Sequence, residues 1–62
     1  MIALARTNGR PLIVNADLIE TVERDEEGTT VIVLTTGNLL AVDQSPEDVR
    51  ELVIAYRRSI AR

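Results

Sequence analysis

Apolar residues recur along this chain with two different periods. Near the C-terminus, Val49, Leu52, Val53, Tyr56 and Ile60 stand at i, i+3, i+4, i+7 and i+11, the spacing that lines one face of an α-helix. The start of that helix is marked in the sequence. Ser45 is a good N-cap, Pro46 suits the first helical position, and Asp48 falls three residues after the cap, where a carboxylate faces the positive end of the helix. The pattern predicts a helix from residue 45 to about residue 61 with its apolar stripe on a core. Ile54 falls on the other side, among Arg50, Arg57, Arg58 and Ala61.

Upstream the period shortens. Asn8-Gly9 lies between the runs at residues 2–7 and 10–14 and predicts a hairpin with a two-residue type I′ turn. That turn sets Thr7 opposite Arg10 and Arg6 opposite Pro11, a non-hydrogen-bonded pair in which proline is tolerated. In this register Ile2, Leu4 and Ile13 share one face, and Ala3, Ala5, Leu12 and Val14 the other. Asn15-Ala16-Asp17 caps a single helical turn. Residues 18–23 then read as a short third strand with Ile19 and Val22 inward, and residues 24–28 as a solvated turn closed by Gly28. Residues 29–35 and 38–43, dense in β-branched side chains, form another hairpin around Thr36-Gly37. The expected fold is α+β: a small antiparallel β-sheet of four or five strands, built from two hairpins, with one C-terminal α-helix packed on one face. All of it falls in a single domain over residues 1–62.

The strands fail to alternate. Val31-Ile32-Val33-Leu34 and Leu39-Leu40-Ala41-Val42 put apolar side chains on both faces of the sheet, where an antiparallel sheet with one wet face alternates. One helix covers one face, so the other calls for a second subunit. A chain of 62 residues with no cysteine and no histidine also has a thin core and neither disulfides nor the usual metal ligands to support it. The expectation is a homo-oligomer, with Ile2, Leu4, Ile13, Val31, Ile32, Val33, Leu34 and Leu40 as candidate interface residues.

Charge and chemistry narrow the function. A net charge of −3 and a pI near 4.7 oppose bulk attraction to phosphate backbones, so no nucleic-acid partner is expected. All basic residues are arginine, and Arg57, Arg58 and Arg62 lie close together near the end of the helix, where they complement its dipole or face a partner. With Ile54 they form the candidate partner surface. The chain offers no nucleophile–base pair, no phosphate-cradling glycine loop, and an acidic run, Asp25-Glu26-Glu27, that lacks the alternating ligands of a calcium loop. No enzyme activity, cofactor or metal is expected. No apolar run reaches the length of a membrane span. Without cysteine, and with the first strand starting at Met1, the expected location is the cytoplasm, with no membrane insertion.

Several segments together resemble a known family. Met1-Ile2 with Thr7-Asn8-Gly9 and Leu12, then Asn15-Ala16-Asp17-Leu18-Ile19-Glu20-Thr21-Val22-Glu23, then Thr30-Val31-Ile32-Val33-Leu34-Thr35-Thr36-Gly37, then Val42 and a helix with Val49 and Tyr56-Arg57-Arg58, are similar to the small flagellar proteins of the FlbD/SwrD type. The resemblance spans nearly the whole chain. It departs at Glu26-Glu27-Gly28-Thr29-Thr30, where members commonly carry Pro-Asp-Thr, and at Asn38 and Leu39, where lysines are frequent. The resemblance implies a non-enzymatic flagellar accessory protein supporting motility or swarming through contacts with motor or basal-body components, peripheral at the flagellar base. A runner-up covers the first dozen residues: Met-Ile-x-Leu-x-Arg-x-x-Gly also resembles the CsrA-type RNA-binding homodimeric regulators, with Arg6 as the RNA-contacting candidate. The acidic balance and the acidic helix start, Glu47 and Asp48, oppose it.

Overall fold

The computed structural model describes residues 1–60. Five strands, a short 3₁₀ turn and a helix follow in order: β1 (Ile2–Ala5), β2 (Pro11–Val14), the 3₁₀ turn (Ala16–Leu18), β3 (Ile19–Arg24), β4 (Thr30–Leu34), β5 (Leu39–Val42) and α1 (Pro46–Ile60). All strand pairs are antiparallel, and the fold is the small α+β arrangement expected.

The three hairpins use one turn design. In the first, the Arg6 amide donates to the Arg10 carbonyl at 2.9 Å and the Gly9 amide donates back to the Arg6 carbonyl at 2.8 Å. Gly9 has φ +87°, so the loop is three residues long, Thr7-Asn8-Gly9: a tight turn followed by a left-handed glycine. The second loop repeats this, with the Gly28 amide bonded to the Asp25 carbonyl at 3.1 Å, and the third with Gly37 to Leu34 at 2.9 Å. No residue other than glycine has positive φ among those described, which excludes the type I′ geometry expected at Asn8-Gly9. The extra loop residue moves the register by one. Ile2 pairs with Val14, Ala3 with Ile13, Leu4 with Leu12 and Ala5 with Pro11. Because side chains alternate along a strand, that slip exchanges the faces of β2: Leu12 and Val14 join Ile2 and Leu4, and Ile13 turns outward at 71% exposure. The first hairpin therefore buries one face, Ile2, Leu4, Leu12 and Val14, and leaves Ala3, Pro11 and Ile13 exposed on the other.

Asn15 caps the 3₁₀ turn as expected, its side chain accepting from the Asp17 amide at 3.0 Å. The strand that follows carries an irregularity between Ile19 and Thr21. An added residue of this kind lets Ile19 and Val22, three apart, both point inward, and both pack on the core. The two ladders meet where β1 runs on toward its turn. Arg6 bridges Val42, the Asp43 amide donates to the Ala5 carbonyl at 2.8 Å, and the Ala5 amide donates to Gln44 Oε1 at 3.0 Å. The strands thus form two antiparallel sheets, β1-β2 and β3-β4-β5, from three hairpins where one sheet from two was expected, and the isolated Arg6–Val42 bridge links them.

The helix begins where the sequence placed it: Ser45 Oγ accepts from the Asp48 amide at 3.1 Å. It packs on β1 and β3, and Val49, fully buried, enters a core of Ile2, Leu4, Val14, Ala16, Ile32 and Val42. Val53 and Tyr56 flank that core. Leu52 and Ile60, expected in the same stripe, are exposed. The strands meet the helix through Val49, Val53 and Tyr56. The expected helix end near Ala61 lies outside the described residues.

Candidate functional site

The eight residues expected at an oligomer interface divide into three groups. Ile2, Leu4 and Ile32 are buried in the chain's own core, so they offer no surface to a second copy; the expectation is corrected on this point, because Ile2 and Leu4 share the covered face with Leu12 and Val14 and Ile32 lies in the same core cluster as Val49. Leu34 and Leu40 are half-buried and pack against the same core. Ile13, Val31 and Val33 remain on the outer face. Cross-strand pairing joins Val31 to Glu23 and Ala41, and Val33 to Thr21 and Leu39; residues paired in this way share a face. The outer surface of β3-β4-β5 therefore carries Val31, Val33, Leu39 and Ala41 together, edged by Thr21 and Glu23. Leu39, 67% exposed, is the most open of these, and its role on this face was not read from the sequence. The signal that would have found it is Thr36: a β-branched residue disfavours the positive φ that a two-residue Thr-Gly loop demands, which points to a longer loop and the other register.

The residues expected to face a partner lie on α1. Arg57 and Arg58 are exposed near its end, and Arg62 lies outside the described residues. Ile54 is not a lone exposed side chain. It is half-buried and lines a groove of about 450 Å³ between α1 and β3, opposite Ile19 and Val22. Val49 and Val53 form its floor, and Pro46 and Glu47 close it at the start of the helix. Arg50 stands on its rim, paired with its neighbour Glu51 at 3.2 Å. With both side chains open to solvent, that pair contributes little to stability.

Among the described residues, no three acidic, histidine or cysteine side chains gather where they would hold a metal ion. Within the Asp25 turn, the carboxylate is engaged by the backbone amides of Glu27 and Thr29, each at 2.9 Å. The acidic run thus shapes a turn. No helix is long and apolar enough to cross a membrane among the described residues.

Comparison with curated proteins, and with solved structures, found no match. Comparison with family models matches residues 1–61 to FlbD, described as flagellar and swarming motility proteins. That match takes in the Asn15 cap, the three glycine turns and the helix described above, and the chain is a member of the FlbD family of flagellar and swarming motility proteins.

Proposed function

We propose that the chain is a non-enzymatic accessory protein of flagellar motility, acting through protein–protein contacts with motor or basal-body components on the cytoplasmic side of the flagellar base. Family membership supports the motility role. The observation that carries the contact mechanism is the apolar area left open on so small a chain: Val31, Val33, Leu39 and Ala41 on one face of the sheet, and the Ile54 groove by the helix. Uncovered apolar surface of this kind marks interaction sites. The outer sheet face suits self-association, which gives a homo-oligomer.

The test is genetic and biochemical together. Deleting the gene reduces swimming or swarming, wild-type chain restores it, and purified protein shows no RNA binding at physiological salt. Tight, salt-sensitive RNA binding that is lost with Arg6→Ala, in a strain whose motility is unchanged, sinks this reading.

A further inference from the structure

One side of α1 faces neither the core nor the β3 groove. Asp48, Leu52, Ala55 and Ser59 stand at i, i+4, i+7 and i+11, with Glu51 and Arg58 along their flank, so these residues share one face of the helix. Leu52 is a large apolar side chain left exposed there, and Ala55 beside it is open too. Asp48, Glu51, Leu52 and Ala55 line a shallow groove of about 530 Å³ with Gln44, just before the helix. Among the described residues its lining comes from Gln44 and α1 alone, so no strand stands across it.

Charge on this face is sorted by sign. Asp48 and Glu51 precede Leu52 and Ala55, and Arg58 follows them. Arg50, which lines the β3 groove, and Arg57, two turns further along the same side, belong to the other flank. Among the described residues Asp48 and Arg58 make no ion pair, and Glu51 meets only Arg50 at 3.2 Å, through a solvent-open contact that is given up at little cost. The acids also oppose one another within the helix: Glu47 and Glu51 stand at i and i+4, a spacing at which like charges repel.

From this pattern we propose that α1 pairs with the same helix of a second copy, antiparallel about a two-fold axis that passes between Leu52 and Ala55. Read backwards, the face is its own complement. Asp48 and Glu51 of each copy lie along the partner's Arg58, and Leu52 packs beside the partner's Ala55, whose small side chain lets the helices approach. A parallel pair would set acid against acid and base against base. Sorted charge also selects the occupant: an acidic segment would meet Asp48 and Glu51, a basic one would meet Arg58, and the reversed acid–apolar–base order is the chain's own. This contact is separate from the outer sheet face and does not rest on it. With only Leu52 and Ala55 at its centre it is smaller than the roughly 800 Å² per partner of a stable complex, so pairing is expected at high micromolar concentration.

The experiment uses full-length protein carrying Val33→Asp, which removes the outer-face contact, with Leu39→Asp as a second background if the first fails to fold. Sedimentation from micromolar to millimolar concentration should show a monomer–dimer equilibrium that weakens with salt. Glu51→Arg, Arg58→Glu and Leu52→Asp should each weaken the dimer about tenfold or more while circular dichroism reports an intact fold. Glu51→Arg combined with Arg58→Glu should restore it, since each pair across the axis is again opposite in sign. A role confined to the helix dipole predicts the reverse, because the combined variant moves a cation toward the helix start and an anion toward its end. The chain has no cysteine, so a nitroxide on Ser59→Cys is a unique probe. Mixed with isotope-labelled protein, it should broaden amides around Asp48 of the other copy.

Protein that stays monomeric to millimolar concentration, a combined variant no tighter than its parents, undiminished pairing in Leu52→Asp, or broadening centred on Ser59 overturns the proposal. None of these outcomes touches the motility role. A deletion strain with normal motility defeats that reading and leaves the helix pair standing.

Discussion

Threonine substitutions at two neighbouring positions test the register directly. Val14 is 5% exposed and Ile13 71%, yet a two-residue Asn8-Gly9 turn would exchange them. Val14→Thr and Ile13→Thr both keep a β-branched side chain, so strand preference is nearly constant and burial is what differs. At Val14 the change removes one buried methyl, worth about 0.8 kcal/mol, and places a hydroxyl among Ile2, Leu4 and Val42, where an unpaired polar group costs about 1–3 kcal/mol. The sum is about 2–4 kcal/mol. For a chain of 62 residues, total stability is on the order of 3–9 kcal/mol, so Val14→Thr should lower Tm by roughly 10–30 °C. Ile13→Thr should stay within about 0.5 kcal/mol of wild type. Urea and thermal unfolding followed by circular dichroism, at a dilution where the midpoint no longer depends on concentration, measure both without a contribution from outer-face contacts. A larger loss for Ile13→Thr than for Val14→Thr would refute the three-residue turn and everything built on its faces.

Four other outcomes follow from named contacts. Ser45→Ala removes the acceptor of the Asp48 amide and should cost about 1 kcal/mol, read in the same unfolding assay, with Ser45→Asp restoring it. Gly28→Ala meets no atom within 4 Å, so any loss comes from its φ of +83° alone; about 1–2 kcal/mol is expected, and Gly28→Asn should recover part of it. Val33→Asp, on the outer sheet face, should leave the fold intact and dissociate the oligomer in light scattering; a wild-type protein that is monomeric at micromolar concentration ends the self-association proposal. A triple variant, Arg57→Gln, Arg58→Gln and Arg62→Gln, should remain folded, because cations near a helix end contribute only about 0.3–1 kcal/mol each, and should fail to restore motility; full rescue would return those arginines to the helix dipole.

What the sequence determined by itself is local. Ser45, Pro46 and Asp48 start the helix through bonds that span a few residues, Asn15 caps its turn through the Asp17 amide, and Gly9, Gly28 and Gly37 place the chain reversals because each takes a positive φ. The family could be read from the same segments, whose spacing is local too. What tertiary structure decided is which face each strand shows. Asn8-Gly9 fits a two- or a three-residue loop, and the choice moves Val14 from surface to core while leaving the apolar count of the strand unchanged. The helix stripe shows the same limit. Period alone put Leu52 beside Val49 and Ile54 opposite, but α1 packs on β1 and β3 so that Leu52 stays about a third exposed, at 37%, and Ile54 lines the groove with Ile19 and Val22 of β3. The two sheets are tied together by the Arg6–Val42 bridge, a contact between residues 36 positions apart that no local pattern records.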